Sequence, residues 1–251
     1  MSSYNRHQRN ALNNYPSYLS SHNRHSQTSG GMAVAADGDR NRGWVEGFVK
    51  EQLPPNHNDY NWIASKMHNS IAVHNGTKIS KYNIVQVYKV KNSKLWNKYT
   101  ERRYEMARDY PRGKLVPEIR LFHGTNHADK IVRDGFNVDC SNPNGMFGKG
   151  IYFADLSSKS SQYTFEGCNT ACKSHNIVYC TSCIRKMLVC KVALGKSYEA
   201  TAPMNGILQA PQGYHSVIAK PRSGFLNYSE YIVYNNYQAY PGYLIEYKVS
   251  M

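Results

Sequence analysis

The run GKGIYFADLSSKSSQY, Gly148 to Tyr163, constrains the fold more than any other segment of this chain. Glycines Gly148 and Gly150 flank a single residue and, lacking Cβ atoms, let backbone approach a ligand closely. Ile151, Tyr152 and Phe153 then alternate as a half-buried strand does. Ser157 is placed to cap a short helix carrying Ser160 and, one turn on, Tyr163. Two aromatic faces and a hydroxyl thereby converge on a glycine-lined gap. Such a gap suits a flat, amide-bearing aromatic ring.

The rest of the pattern points to an α+β domain. A helix is predicted from about Asp59, where Ile63, Met67 and Ile71 recur at i, i+4 and i+8. Tyr82 to Val90 has strand composition. Ser93 is a candidate N-cap for a helix with Leu95, Tyr99 and Met106 on one side and basic residues on the other. Asn126 to Asp134 reads as a short helix stopped at Gly135. Further strands fall at Met187 to Leu194, Glu230 to Asn235 and Tyr243 to Val249. Strands crowd late in the chain without regular helix alternation, which favours antiparallel sheets over a doubly wound one.

Two more segments turn the gap into a candidate reaction centre. LFHGT, Leu121 to Thr125, puts His123 and Gly124 at the end of a short apolar strand, and NYSEYIVY, Asn227 to Tyr234, puts Glu230 at the start of another. Together with NGMFGKGIYFA, CKVALGKSY, GYHSVIAKP and QAYPGYLIEYKV, these segments make the chain resemble the catalytic domain of the poly(ADP-ribose) polymerases. Within that family the chain is most similar to the tankyrases, from about Tyr60 to Val249. The resemblance implies two packed antiparallel sheets around an NAD cleft, a few flanking helices and a small zinc loop. It also implies transfer of ADP-ribose from NAD to protein, with His123, Tyr152 and Glu230 as the catalytic group. Because all three are present, formation of poly(ADP-ribose) is expected, with single-unit transfer or a non-catalytic binder of NAD, RNA or ADP-ribose polymer as alternatives.

By the same resemblance, Gly124 and Ser160 hold the nicotinamide carboxamide and Tyr163 stacks on the ring. Tyr152 packs on its other side and His123 binds ribose hydroxyls. Glu230 alone carries a charge that matches the positive charge developing on the ribose. A carboxylate about 4 Å from such a centre interacts by roughly 4 kcal/mol at an effective dielectric near 20.

Cys172, His175, Cys180 and Cys183 have the residue types and short spacings of a tetrahedral zinc site. Disulfides are the alternative, disfavoured in a reducing interior. Cys168 lies just outside the spacing. A loop of this kind is a tankyrase trait, and four protein ligands assign it a structural role.

The 251 residues carry a formal net charge of +14. Between Lys78 and Lys114, 11 Lys and Arg stand against 3 Asp and Glu, a net +8 in 37 residues. That stretch is either a solvated face or a surface for a polyanion such as RNA or ADP-ribose polymer. Residues 1–43 are polar, poor in large aliphatics and expected to be a disordered tail. Residues 44–251 form the expected catalytic domain. No apolar run is long enough for a membrane helix, and the start lacks the apolar core of a secretory signal. An intracellular location, nucleus or cytoplasm, is expected, with protein acceptors that include the chain itself.

Overall fold

The computed structural model describes residues 47–74, 77–165, 170–221, 224 and 226–251. The tail expected over residues 1–43 and Cys168 lie outside them. Eleven strands, four α-helices and one 3-10 turn (Val138–Cys140) are the regular elements among the described residues. β1 (Phe48–Leu53), α1 (Asn58–His68), β2 (Val73–His74), β3 (Thr77–Lys78), β4 (Lys81–Asn92) and α2 (Ser93–Ala107) come first. β5 (Glu118–Gly124), α3 (Ala128–Asp134), β6 (Ile151–Phe153) and α4 (Ser157–Ser161) follow. β7 (Arg185–Ala193), β8 (Ser197–Ala200), β9 (Ser216–Ala219), β10 (Glu230–Val233) and β11 (Ala239–Ser250) complete the order.

The strands form a five-stranded sheet, β1-β4-β11-β7-β5, a four-stranded sheet, β6-β10-β9-β8, and the small hairpin β2-β3. The first sheet is antiparallel throughout. The second departs from the expected antiparallel pattern at one edge, where β8 runs parallel to β9. A parallel neighbour requires a crossover rather than a tight hairpin, and residues 201–215 supply it.

Period-two alternation decides which side chain meets which layer. Leu188, Cys190 and Val192 of β7 and Leu244 of β11 pack with Ile151, Phe153, Tyr231 and Val233 of the second sheet. The same layer takes in Ala128 and Val132 of α3. Met187 and Val189 on the other face of β7 join Ile63 and Met67 of α1. β7 is therefore buried on both faces, which explains its nearly continuous apolar run. The face of the second sheet turned away from the first packs Ile232 and Val217 on Phe147.

Two expected caps move by one residue. Asn92, not Ser93, caps α2, its side chain accepting the Leu95 N–H at 3.2 Å. Leu156, not Ser157, precedes α4. Ser157 instead turns its hydroxyl to the Met67 carbonyl at 2.7 Å, because an internal acceptor from α1 lies within reach. α4 ends at Ser161, so Tyr163 stands just past the helix.

Candidate active site

His123 and Gly124 close β5, Tyr152 sits in the middle of β6, and Glu230 opens β10. β10 registers against β6 with Ile232 opposite Tyr152 and Tyr231 opposite Phe153. Residues two apart on a strand share a face. Glu230, Ile232 and Tyr152 thus lie on one side of the second sheet, while Tyr231 and Phe153 enter the core between the sheets.

An antiparallel bridge between Phe122 and Ala154 stitches β5 to the strand end after β6. It brings Nδ1 of His123 to 2.8 Å from the Tyr152 carbonyl oxygen. A carbonyl can only accept, so Nδ1 carries the hydrogen and Nε2 keeps its lone pair while the ring is neutral. Burial holds the His123 pKa below its ordinary value, against the upward pull of that hydrogen bond. Near neutral pH the imidazole therefore offers an acceptor, suited to a ligand hydroxyl.

The Tyr152 phenol is fully engaged. It accepts the Phe147 N–H at 2.9 Å and donates to the Gly148 carbonyl at 2.9 Å. Burial, with a smaller push from Glu230, raises its pKa to about 12. The hydroxyl stays protonated and fixes the loop, leaving the ring to contact a ligand. The next peptide along is held by Tyr234, whose hydroxyl donates to the Phe147 carbonyl at 2.7 Å. Gly148 takes φ +72°, and a Cβ there would lie 2.0 Å from the Ile207 carbonyl oxygen. A side chain would be strained at this position on both counts.

Gly124 and Ser160 meet directly. A Cβ on Gly124 would sit 1.7 Å from the Ser160 carbonyl oxygen, so only glycine lets the end of β5 touch α4. Ser160 is buried, and Tyr163 beside it is 37 % exposed. Lys159 completes the cluster, its Nζ 3.0 Å from a carboxylate oxygen of Glu230 and 5.8 Å from the centre of the Tyr163 ring. The Glu230 side chain is only 12 % exposed. A carboxylate this far from solvent needs a charged or hydrogen-bonded partner, and Lys159 supplies one.

The β2-β3 hairpin closes the same end of the site. His74 lies 2.7 Å from the Ser158 hydroxyl and packs at a tilt against Tyr228, ring centres 4.4 Å apart. Tyr228 in turn donates to the Val73 carbonyl. Burial first, and the Lys159 charge second, push the His74 pKa down to about 4.

The sequence matches the poly(ADP-ribose) polymerase catalytic domain over residues 57–224. The chain belongs to that family. It is 25 % identical over 206 residues to the human protein mono-ADP-ribosyltransferase PARP14, covering 81 % of this chain and 10 % of that protein. A probable poly [ADP-ribose] polymerase of Dictyostelium discoideum is 31 % identical over 180 residues, covering 69 % of this chain and 47 % of the relative. The mouse protein mono-ADP-ribosyltransferase PARP3 is 35 % identical over 109 residues, 43 % of this chain and 18 % of its own length. The chain thus spans half or less of each relative. The family match holds His123, Gly124, Tyr152, Ser160 and Tyr163 and ends before Glu230. Sheet register, not the match, brings Glu230 to the others.

Of the expected site residues, all six about the cleft are gathered by β5, β6, β10 and α4. Lys159 and His74 were not anticipated. Lys159 stands in the SKS run of the Gly148 to Tyr163 segment, and its signal is the need of a nearly buried Glu230 for a cation. His74 leaves no comparable trace in the sequence.

The four expected metal ligands also come together in this polymerase-family domain. Nδ1 of His175 lies 3.7, 3.4 and 3.4 Å from the sulfurs of Cys172, Cys180 and Cys183. All four donor atoms fall within 4.8 Å of one another. Bond lengths of about 2.3 Å to sulfur and 2.0 Å to nitrogen put tetrahedral neighbours roughly 3.6 Å apart. The spacing therefore fits zinc. None of the described cysteines is in a disulfide. Without a cation the thiols compete for charge. Cys172 is pulled down to about 6, first by the backbone hydrogen bond from Ile177, and Cys183 is pushed up to about 11, first by burial. Arg185, buried at the start of β7, ties this loop to α4 by donating to the carbonyls of Val178 at 3.1 Å and Ser161 at 3.4 Å.

Proposed function

We propose that the protein is an NAD-dependent ADP-ribosyltransferase that modifies protein acceptors and extends the product into poly(ADP-ribose). The observation that carries this reading is the placement of Glu230, a nearly buried carboxylate paired with Lys159 on the sheet face of Tyr152. In the reaction the bond between nicotinamide and ribose C1′ breaks, and its electron pair leaves with the ring, which departs neutral. An acceptor hydroxyl oxygen forms the new bond to C1′, and its proton passes to solvent water. Negative charge from Glu230 at a ribose gaining positive charge acts in the transition state, where stabilisation raises the rate. Gly124 and Ser160 hold the carboxamide, Tyr163 and Tyr152 flank the ring, and Nε2 of His123 accepts from a ribose hydroxyl. These contacts position NAD rather than lower the barrier directly.

Within the family we group the chain with the tankyrases, on the strength of the Cys3His loop between α4 and β7. Zinc there is structural, because four protein donors leave no position open for substrate. We place its action in the nucleus or cytoplasm, with the chain among its own acceptors.

The test is incubation with labelled NAD followed by a denaturing gel and metal analysis. The reading requires a smear of labelled product and one zinc per chain. A sharp labelled band would mean single-unit transfer, as in the names of the human and mouse relatives, and would remove polymer formation. No label would remove the enzymatic reading altogether, and freshly purified protein without zinc would remove the metal.

A further inference from the structure

The fold redistributes the basic stretch read from the sequence. Lys89 pairs with Asp59, Lys91 with Glu51, Lys98 with Glu101, Arg102 with Glu105 and Arg103 with Glu118. Those charges are largely neutralised on the spot. Arg108, Arg112 and Lys114 are exposed and have no acidic partner among the described residues. They follow one another at the C-terminal end of α2 and in the turn closed by the Lys114 N–H on the Pro111 carbonyl at 3.0 Å. Cations near a helix C-terminus are ordinary for Arg108, but that explanation does not reach Arg112 or Lys114.

A second part of the chain meets this end of α2. His215, next to β9, lies 3.0 Å from Asp109, and its Nδ1 accepts the Lys196 N–H at 3.1 Å. Asp109, the nearest acid in sequence, is thereby engaged. Lys196, exposed in the turn between β7 and β8, sets its ammonium 5.9 Å from the centre of the Tyr110 ring. Two large phenols stand open around these cations. Tyr104, one helical turn before Arg108, is 55 % exposed. Tyr214 is 44 % exposed and is braced edge-on by Tyr198 at 5.3 Å.

We propose that Arg108, Arg112, Lys114 and Lys196, with Tyr104 and Tyr214, form a docking surface for single-stranded RNA. Cations that track phosphates beside aromatic faces on which unpaired bases stack are what such a strand needs. The phenol hydroxyls add partners for 2′-hydroxyls, which a DNA strand lacks. The surface is not a continuation of the NAD cleft. Ser216 pairs with Val233 and Ala219 with Glu230, so the His215 end of β9 is three residues, about 10 Å, from the Glu230 end. Exposed cations beside open aromatic faces match the phosphates and unpaired bases of a single strand, and RNA is the occupant this charge and stacking fit best.

The test is fluorescence anisotropy of the full-length protein with a labelled oligouridylate of about 12 nucleotides, titrated in roughly 50 to 200 mM salt. Each phosphate contact on a single strand contributes a slope of about 0.7 in log affinity against log salt. The double variant R112Q/K114Q should flatten that slope by about 1.4, and Y104A should weaken binding by roughly tenfold. Both variants should keep the wild-type melting temperature and NAD turnover, since neither touches the cleft. Absence of RNA binding by the wild-type protein at the lowest salt would overturn the proposal. So would an R112Q/K114Q slope equal to wild type, which would put the binding elsewhere on the chain. Displacement of RNA by a lower concentration of free ADP-ribose polymer, or equal affinity for the matching DNA strand, would reject RNA as the occupant.

Discussion

Replacing Gly124 with alanine adds one methyl group at the point where β5 touches α4. That Cβ would lie 1.7 Å from the Ser160 carbonyl oxygen and 2.6 Å from its carbon, both backbone atoms. Real Cβ atoms essentially never come closer than 3.0 Å to a neighbour. No flexible side chain can yield here, so α4 or the end of β5 must move by about 1.3 Å. Misplacement of about 1 Å in a positioning element costs on the order of a hundredfold in rate. Overpacking of this kind costs about 1 to 3 kcal/mol of stability, within what a folded domain tolerates. Gly124→Ala is expected to fold, to melt a few degrees lower, and to lose roughly a hundredfold in kcat/KM for NAD, read as nicotinamide release. The loss should fall on both transfer and NAD hydrolysis, because α4 carries Ser160 and Lys159 together. A variant that melts lower but turns over NAD within threefold of wild type would show that this contact serves packing alone.

Phe147, held at its N–H and its carbonyl by two phenols, gives a second expectation. Tyr234→Phe removes the hydrogen bond that its hydroxyl donates to the Phe147 carbonyl, and loss of such a bond costs about 0.5 to 1.5 kcal/mol. The loop that orients Tyr152 should loosen, raising KM for NAD more than it lowers kcat; equal kinetics with lowered stability would limit Tyr234 to the core. Acid should destabilise the fold through His74. Its native pKa of about 4 lies below the unfolded value near 6.5, so the unfolded chain binds a proton that the native state refuses between those values. Urea unfolding free energy should be flat above pH 7 and fall as pH drops from 6.5 towards 4, by at most about 1.4 kcal/mol per unit for this one group. His123 is shifted in the same direction and adds to the slope. A His74→Gln variant that shows the wild-type slope would assign the acid lability to other groups.

Much of this architecture is legible in the residues, for local reasons. β6, β7, β10 and β11 bury large side chains on at least one face, so their apolar pattern is strong. β1 escapes because it is an edge strand whose side chains are exposed up to Leu53, leaving no alternation to read. β8 and β9 are four residues each and pair in parallel across a long connection, which no local signal announces. Adjacent cap formers, Asn92 and Ser93, cannot be ranked from sequence when either side chain reaches the helix start. The Cys3His loop is readable because tetrahedral coordination fixes both ligand type and spacing. Lys159 is not, since a lysine in a serine-rich helix start has the composition of a solvated face. Its meaning comes from Glu230, which reaches it only through the register of β10 on β6. The basic stretch shows the opposite failure. Formal charge overstated it, because Lys89, Lys91 and Arg103 meet acids from outside the stretch, on α1, β1 and β5.

The central claim is that Glu230 supplies negative charge to the transition state, and steady-state kinetics of Glu230→Gln tests it most directly. Glutamine keeps an oxygen that can accept from Lys159, so orientation survives while the charge is lost. A carboxylate about 4 Å from the reacting carbon contributes roughly 4 kcal/mol, up to about a thousandfold in rate. The account predicts an NAD dissociation constant within a few-fold of wild type and a kcat lower by two to three orders of magnitude, on the order of that figure. A Glu230→Gln protein that turns over NAD at the wild-type rate would contradict it.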